Sequence, residues 1–293
     1  MRLATFNILH GRPVSAGQPV WPGVSARGLL ADAVESLGVD VLVLQEVDRF
    51  QERSGRVDQA AAAAAGMGAG DWRYASALHG VPVPGRGWAL DPEVPGLRVY
   101  GPGDAAARGG GSSHGLALLC RLPVRRWYAR QLAPVSVRMP LRVAGRPGLA
   151  WAQDRPRAAL AAVVEGEYGL FTVVAVHLSF VPGWNAVQLA GIRRWVSVLP
   201  GPHIVAGDFN MVGPLPRLVL AATTRMDHPT RRGTSGCSAW RDLGGEPTYP
   251  SHRPRVRFDR ILTAGISSGA VRGMSSPSMP FSDHKPLVTE LAW

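Results

Sequence analysis

The residues best suited to chemistry in this chain stand where apolar runs stop. Gly207-Asp208-Phe209-Asn210 follows Ile204-Val205-Ala206 and gives way to Met211-Val212-Gly213-Pro214. Side chains at i and i+2 of an extended strand point the same way, so Asp208 and Asn210 can address one reacting group together. Alone, the tetrapeptide reads more readily as a turn, since Gly, Asp and Asn are the commonest turn residues. The pattern recurs, however. Asn7, Glu46, His177 and Asp259 also arrive beside hydrophobic or alternating stretches, and Asp283-His284 stands just before one. A single acid at a strand end is usually a turn or a cap; a set of them from separate strands is harder to assign that way.

If these acids converge, their charge dictates what they need. Two unit charges about 4 Å apart repel by roughly 4 kcal/mol at an effective dielectric of 20. Three or more carboxylates sharing a cleft must therefore be protonated or hold a cation. Carboxylate and amide oxygens are hard ligands, which suit magnesium or manganese better than zinc. The two cysteines, Cys120 and Cys237, show no CxxC or Cys/His spacing, so neither a zinc site nor a disulfide framework is expected.

Such residues need strands to carry them. Residues 2–9 alternate as a strand that ends at the His10-Gly11 turn. Val24 to Leu37 carries apolar residues at helical spacing and is closed by Gly38. Val41-Leu42-Val43-Leu44 reads as a strand buried on both faces that delivers Gln45-Glu46, and the alanines of 60–65 read as a second helix. A short strand is expected from Trp72 to Leu78, then a long Gly/Pro/Arg-rich loop over 79–114. Strands at Ala158–Glu165 and Leu170–Val176 form a hairpin, and a helix follows from Ala186 to Leu199. Residues 211–257 read as a second long loop, and strands at Phe258–Thr263 and Pro286–Leu291 close the chain. This order predicts an α+β fold: a sandwich of two packed mixed sheets with helices on the outer faces, not a doubly wound parallel sheet.

Six segments, Thr5-Phe6-Asn7-Ile8, Leu44-Gln45-Glu46-Val47, Val176-His177-Leu178, Gly207-Asp208-Phe209-Asn210, Phe258-Asp259-Arg260-Ile261-Leu262 and Ser282-Asp283-His284-Lys285-Pro286-Leu287, together resemble the endonuclease/exonuclease/phosphatase superfamily. They occur in that family's order and span nearly the whole chain. The resemblance implies one four-layer α/β/β/α domain over 1–293 and a Mg²⁺- or Mn²⁺-dependent phosphoesterase. It implies that Glu46 is the principal metal-binding carboxylate, with Asn7 and Asp283 near the same or a second ion. Asp208 would orient or deprotonate the attacking water, and Asn210 would hold the water or the phosphate. His284, oriented by Asp259, would contact a phosphoryl oxygen or act as general acid or base. His177 would be a second phosphate-facing histidine, as in the DNase and sphingomyelinase branches; apurinic-site endonucleases tend to have tyrosine there. Arg157 matches a phosphate-side arginine, although a solvated strand-start charge is an equal reading. Asn185 and Gln188 depart from a common Arg-x-x-Gln pattern, with Gln188 expected to brace the site and Asn185 to cap the helix. Gly115-Leu116 replaces a Gly-Asn pair, and the acid that partners His177 in DNase-like members has no counterpart legible in the sequence.

The formal net charge is +11, and Lys285 is the only lysine. A basic excess favours phosphate-bearing partners, nucleic acid among them; an arginine-rich, lysine-poor composition is equally the mark of GC-rich codon usage. Arg125-Arg126-Trp127-Tyr128 interleaves cations and aromatics as a phosphate-and-base surface would, or as an exposed strand face does. No stretch of 18 apolar residues suggests an integral membrane segment, and the N-terminus has no long apolar signal core. A cytoplasmic monomer is expected. A phosphodiester substrate of nuclease type is the leading expectation. The alternatives are a lipid or inositol phosphate hydrolase and, in another class, a non-catalytic metal- or phosphate-binding scaffold.

Overall fold

The computed structural model describes residues 1–15, 18–19, 26–83, 87–104, 111–141, 148–227 and 239–292. Cys237 and Val24 lie outside them; Cys120 is a buried free thiol. Two large mixed sheets carry the fold. The first is eight-stranded and runs Val271–Ser275, Leu287–Leu291, Arg2–Asn7, Val41–Arg49, Ser113–Cys120, Asp71–Val83, Gly87–Leu90, with Arg98–Tyr100 also paired to Asp71–Val83. The second is six-stranded: Arg241–Asp242, Asp259–Ala264, His203–Asp208, Gly169–His177, Arg157–Gly166, Val124–Leu132. Helices α1 (Ala26–Leu37) and α2 (Gln59–Met67) belong with the first sheet, α3 (Trp184–Val196) and α4 (Leu215–Asp227) with the second.

Strand alternation sorts the apolar side chains into three layers. Leu3, Val41, Val43, Ile204, Ala206 and Ile261 fill the space between the sheets. Ala4, Phe6, Leu42 and Leu44 turn the other way and meet Leu30, Val34 and Ala63 of α1 and α2. Val174, Val176 and Val205 meet Leu189 and Ile192 of α3. Both faces of the central strands are covered, so Val41 to Leu44 reads as an unbroken apolar run. Burying each such side chain stabilises the fold by roughly 1.5–3 kcal/mol. The expected four-layer α+β sandwich is the observed architecture.

Two expected loops prove to be partly ordered elements. The 79–114 segment is no single loop, because Asp71–Val83 runs through it and turns back on Gly87–Leu90 as a hairpin. Pro82 and Gly87 disguise it, but both are tolerated at the edge of a sheet, where one side of the ladder is free. Within 211–257, α4 forms because Pro216 falls in its first turn, where the missing N–H has no helical partner to lose. Among the described residues no helix is long and apolar enough to cross a membrane.

Candidate active site

Strand register assembles the site. In the second sheet His177 pairs with Asp208 and Asp208 with Asp259, so three neighbouring strands set these residues in one row. Ile204, Ala206 and Ile261 share the parity of Asp208 and Asp259 and face the inter-sheet core; the row therefore points between the sheets, at one end of the sandwich. Gly207 permits the close pairing, since a Cβ there would lie 1.9 Å from the Val176 carbonyl oxygen.

The first sheet contributes from the facing side. Asn7 has the inward parity of Leu3. Glu46 sits where the Val41–Arg49/Ser113–Cys120 register slips between Gln45 and Val47, with φ of +55°. It is the extra residue of a β-bulge, a device that re-aims a side chain. Holding a non-glycine residue there costs on the order of 1–3 kcal/mol, and such strain clusters at functional sites. Asn210 (φ +50°) and Ser282 (φ +73°) are held in the same region.

Hydrogen bonds lock the pieces together. Asn7 Nδ2 donates to Glu46 Oε1 at 3.2 Å and to Asp208 Oδ2 at 3.1 Å, bridging the sheets, while its Oδ1 accepts the Leu9 N–H. Asp208 Oδ1 accepts the Asn210 N–H at 2.8 Å, and Asn210 Nδ2 donates to the Leu178 carbonyl. His284 Nδ1 lies 2.8 Å from Asp259 Oδ2, which also accepts the Thr248 hydroxyl. Ser282 Oγ donates to the Asn7 carbonyl and accepts the His284 N–H, tying the last motif to the first. Gln188 braces two loops, accepting from Ser179 N–H and donating to the Ala133 carbonyl. Asn185 does not cap the helix: Gly183 stands at the N-cap, Asn185 lies inside α3 with its Oδ1 accepting the Ala186 N–H, and its Nδ2 holds the Asn210 carbonyl at 2.9 Å.

The electrostatics divide the two histidines. Burial works against a charged His284, yet Asp259, then Asp208 and Asp283, lift its pKa to about 10. Burial, followed by Arg157, His114 and His284, holds His177 well below the usual imidazole range, with its Nε2 3.7 Å from Asp208 Oδ2. At neutral pH the first is a cation and the second is neutral. Burial pushes Asp208 up to about 6, with His284 opposing and Asp259 adding. Burial likewise raises Asp283. At Glu46 burial is outweighed by His114, His10 and the Asn7 hydrogen bond, so its carboxyl stays below the usual range.

Asp208, Asp259 and His284 offer ligand atoms within 4.8 Å of one another; Glu46 and Asp283 stand outside that group, Glu46 at the more open rim with its side chain 26% exposed. A hard cation suits the carboxylate oxygens gathered here, whereas His284, protonated, is no ligand. The acids are crowded, Asp259 Oδ1 is buried without a hydrogen-bond partner among the described residues, and Asp208 is costly to ionise. Arg157 is no solvated charge: its side chain is 15% exposed, its Nε is buried without a hydrogen bond among the described residues, and its guanidinium stands 5.9 Å from the Phe180 ring centroid.

Several site residues escaped the sequence reading. Asp48 is buried and accepts two hydrogen bonds from Arg53 at 2.8 and 2.7 Å, with His114 Nδ1 at 2.7 Å. His114 immediately precedes the apolar run 115–120, the same signal that marked Asp283-His284. Thr248 and Ser282 carry no comparable signal, because a lone hydroxyl in a loop is commonplace.

A model of the Endonuclease/Exonuclease/phosphatase family matches residues 4–284. No curated protein matches the chain in sequence. Among solved structures, an endonuclease/exonuclease/phosphatase from Beutenbergia cavernae is similar at 21% identity and TM-score 0.60, covering 99% of this chain and 71% of that one. The human Nocturnin catalytic domain with bound sulfate is similar at 18% identity and TM-score 0.54, covering 100% and 94%. A 3′ phosphatase from Neisseria bound to a product DNA hairpin is similar at 18% identity and TM-score 0.50, covering 100% of both. At these identities the likeness is one of fold.

Proposed function

The chain belongs to the endonuclease/exonuclease/phosphatase family, and from that premise we propose that it is a Mg²⁺- or Mn²⁺-dependent phosphoesterase, acting as one domain over 1–293 on a phosphodiester of nuclease type. The observation that carries the reading is the pair of histidines flanking Asp208, one cationic (His284) and one neutral (His177). Titratable neighbours whose environments drive their pKa values apart mark an acid/base assignment. Glu46, with Asn7 and Asp283 beside it, would hold the divalent ion, which when bound neutralises charge on the phosphoryl oxygens.

The protein's own residues do the rest. Asp208, its carboxyl near 6, orients the attacking water and takes its proton as the water approaches phosphorus in line. Asn210 holds the water or a phosphoryl oxygen beside it. His284 is protonated and fixed by Asp259, so it places a positive N–H where negative charge builds and gives a proton to the ester oxygen that leaves as its P–O bond breaks. Neutral His177 and the arginine of Arg157 contact the remaining oxygens. A nucleic-acid substrate accords with the net charge of +11 and with the DNA held by the Neisseria 3′ phosphatase. A panel of single-stranded DNA, RNA, phosphatidylinositol phosphates, sphingomyelin and a phosphomonoester, each with Mg²⁺ or Mn²⁺, tests the reading. Diester turnover that disappears in Asp208→Asn and His284→Ala is expected. Normal turnover in either variant would refute the assignment, and metal binding with no turnover of any substrate would make the protein a binding module.

A further inference from the structure

The cleft continues past the acids. From Glu46 and His177 a recess of about 260 Å³ runs to the Asp71–Val83/Gly87–Leu90 hairpin. Leu78, Leu116 and Ala158 give it apolar lining, and the rings of Trp88 and Phe180 border it. This volume is just below the roughly 300–1,000 Å³ of pockets for drug-sized ligands.

The cations around it are of two kinds. Arg53 is already committed: it is doubly hydrogen-bonded to Asp48 and stands 5.5 Å from the Trp88 ring centroid, so it supports that ring. Arg155 and Arg157 are not neutralised in this way. Arg155 has no hydrogen bond or ion pair among the described residues; its guanidinium lies against Gly87, where a Cβ would come 2.3 Å from Nη2. Among the described residues Arg157 pairs with Asp154 at 4.0 Å, its charge also feels Asp208 and Glu46, and its buried Nε makes no hydrogen bond. On the opposite wall, His114 commits Nδ1 to Asp48 and keeps Nε2 without a hydrogen-bond partner among the described residues.

Such a recess requires a ligand with flat apolar faces, an acceptor or donor on one edge, and an anion at the mouth. A bare phosphomonoester leaves the rings unused. An inositol polyphosphate would set hydroxyls against Leu78 and Leu116, stripping them of water without replacing their hydrogen bonds. A nucleoside meets all three requirements, and base–aromatic stacking is tolerant of sequence. A base paired in a duplex cannot leave its stack to enter a recess without the cost of unpairing. Resting on the phosphoesterase reading above, we infer that this recess is a nucleoside subsite: it accepts the unit flanking the scissile phosphate of a single-stranded nucleic acid, while Arg155 holds the next phosphate.

The test has a binding arm and a turnover arm. Fluorescence polarisation of labelled pentathymidylate, in EDTA, is measured on the full chain, on Trp88→Ala and on Arg155→Ala, with circular dichroism to verify folding. Each variant is expected to bind at least tenfold more weakly, and unlabelled single strand is expected to displace the probe at tenfold lower concentration than duplex or inositol trisphosphate. Unchanged binding in a folded Arg155→Ala, or equal displacement by inositol trisphosphate, would overturn the subsite. In the second arm, the ratio of kcat/KM for pentathymidylate to that for methyl p-nitrophenyl phosphate should fall at least tenfold in both variants; an unchanged ratio would also overturn it. Tight, variant-sensitive binding with no hydrolysis of either ester would leave the subsite standing and reject the phosphoesterase.

Discussion

Asp208→Asn should make the protein more stable while it abolishes turnover. The Asp208 carboxyl is 2% exposed and raised to about 6 from an ordinary 3.8. For an acid the sign is this: a raised folded-state pKa means that ionisation costs stability. The cost is absent below about pH 4, grows as pH rises through 4 to 6, and is constant above. Two pKa units at about 1.4 kcal/mol each amount to roughly 3 kcal/mol. Asparagine removes that cost, but its amide has one acceptor fewer. It can keep the Asn210 N–H or the Asn7 Nδ2 bond, not both, which returns about 1 kcal/mol. A net gain of roughly 2 kcal/mol at pH 8 follows. Urea unfolding in EDTA, at pH 8 and at pH 3.5, measures it, with the advantage expected at pH 8 and gone at pH 3.5. A variant less stable than wild type at pH 8, or a pH-independent difference, would refute the reasoning.

Asp259→Asn should act oppositely. The raised pKa of His284 stabilises the fold below about 6.5, and that contribution is lost as pH rises through about 10. Removing one partner of a buried pair costs roughly 3–5 kcal/mol, so the deficit in metal-free protein should be largest near pH 6 and shrink towards pH 10, with the His284 ring titration in NMR moving down. Arg260→Ala removes a buried guanidinium that serves Asp242 and the Gly213 carbonyl; a loss of roughly 3–5 kcal/mol in urea unfolding is expected. Asn185→Ala leaves the Asn210 carbonyl without its donor. About 1 kcal/mol is at stake, and kcat should fall by up to about tenfold with KM little changed.

Much of this was legible in the sequence because polar residues interrupt apolar runs only for a reason. Asn7, His177, Asp208 and Asp259 each stand at the end of, or beside, a run whose parity the core enforces. Inward-facing Leu3, Ile204, Ala206 and Ile261 therefore fix the direction of the polar residue two or four positions away. Glu46 breaks that parity and is rescued by a bulge, which no periodicity reveals. The Asp48–Arg53–His114 network stayed hidden because its members come from a strand end, a short turn and the close of an apparent loop, and only sheet register unites them. The Gly87–Leu90 edge strand and α4 were obscured by proline and glycine in positions where sheet edges and helix first turns tolerate them.

The most direct test is metal-dependent hydrolysis of a simple phosphodiester by the wild-type chain and by Glu46→Gln. No turnover is predicted in EDTA, restoration is predicted with Mg²⁺ or Mn²⁺, and Glu46→Gln is predicted to need at least tenfold more metal for half-maximal rate. Undiminished turnover in EDTA, or a Glu46→Gln metal dependence that matches wild type, would contradict an active site built on acids gathered around a divalent ion.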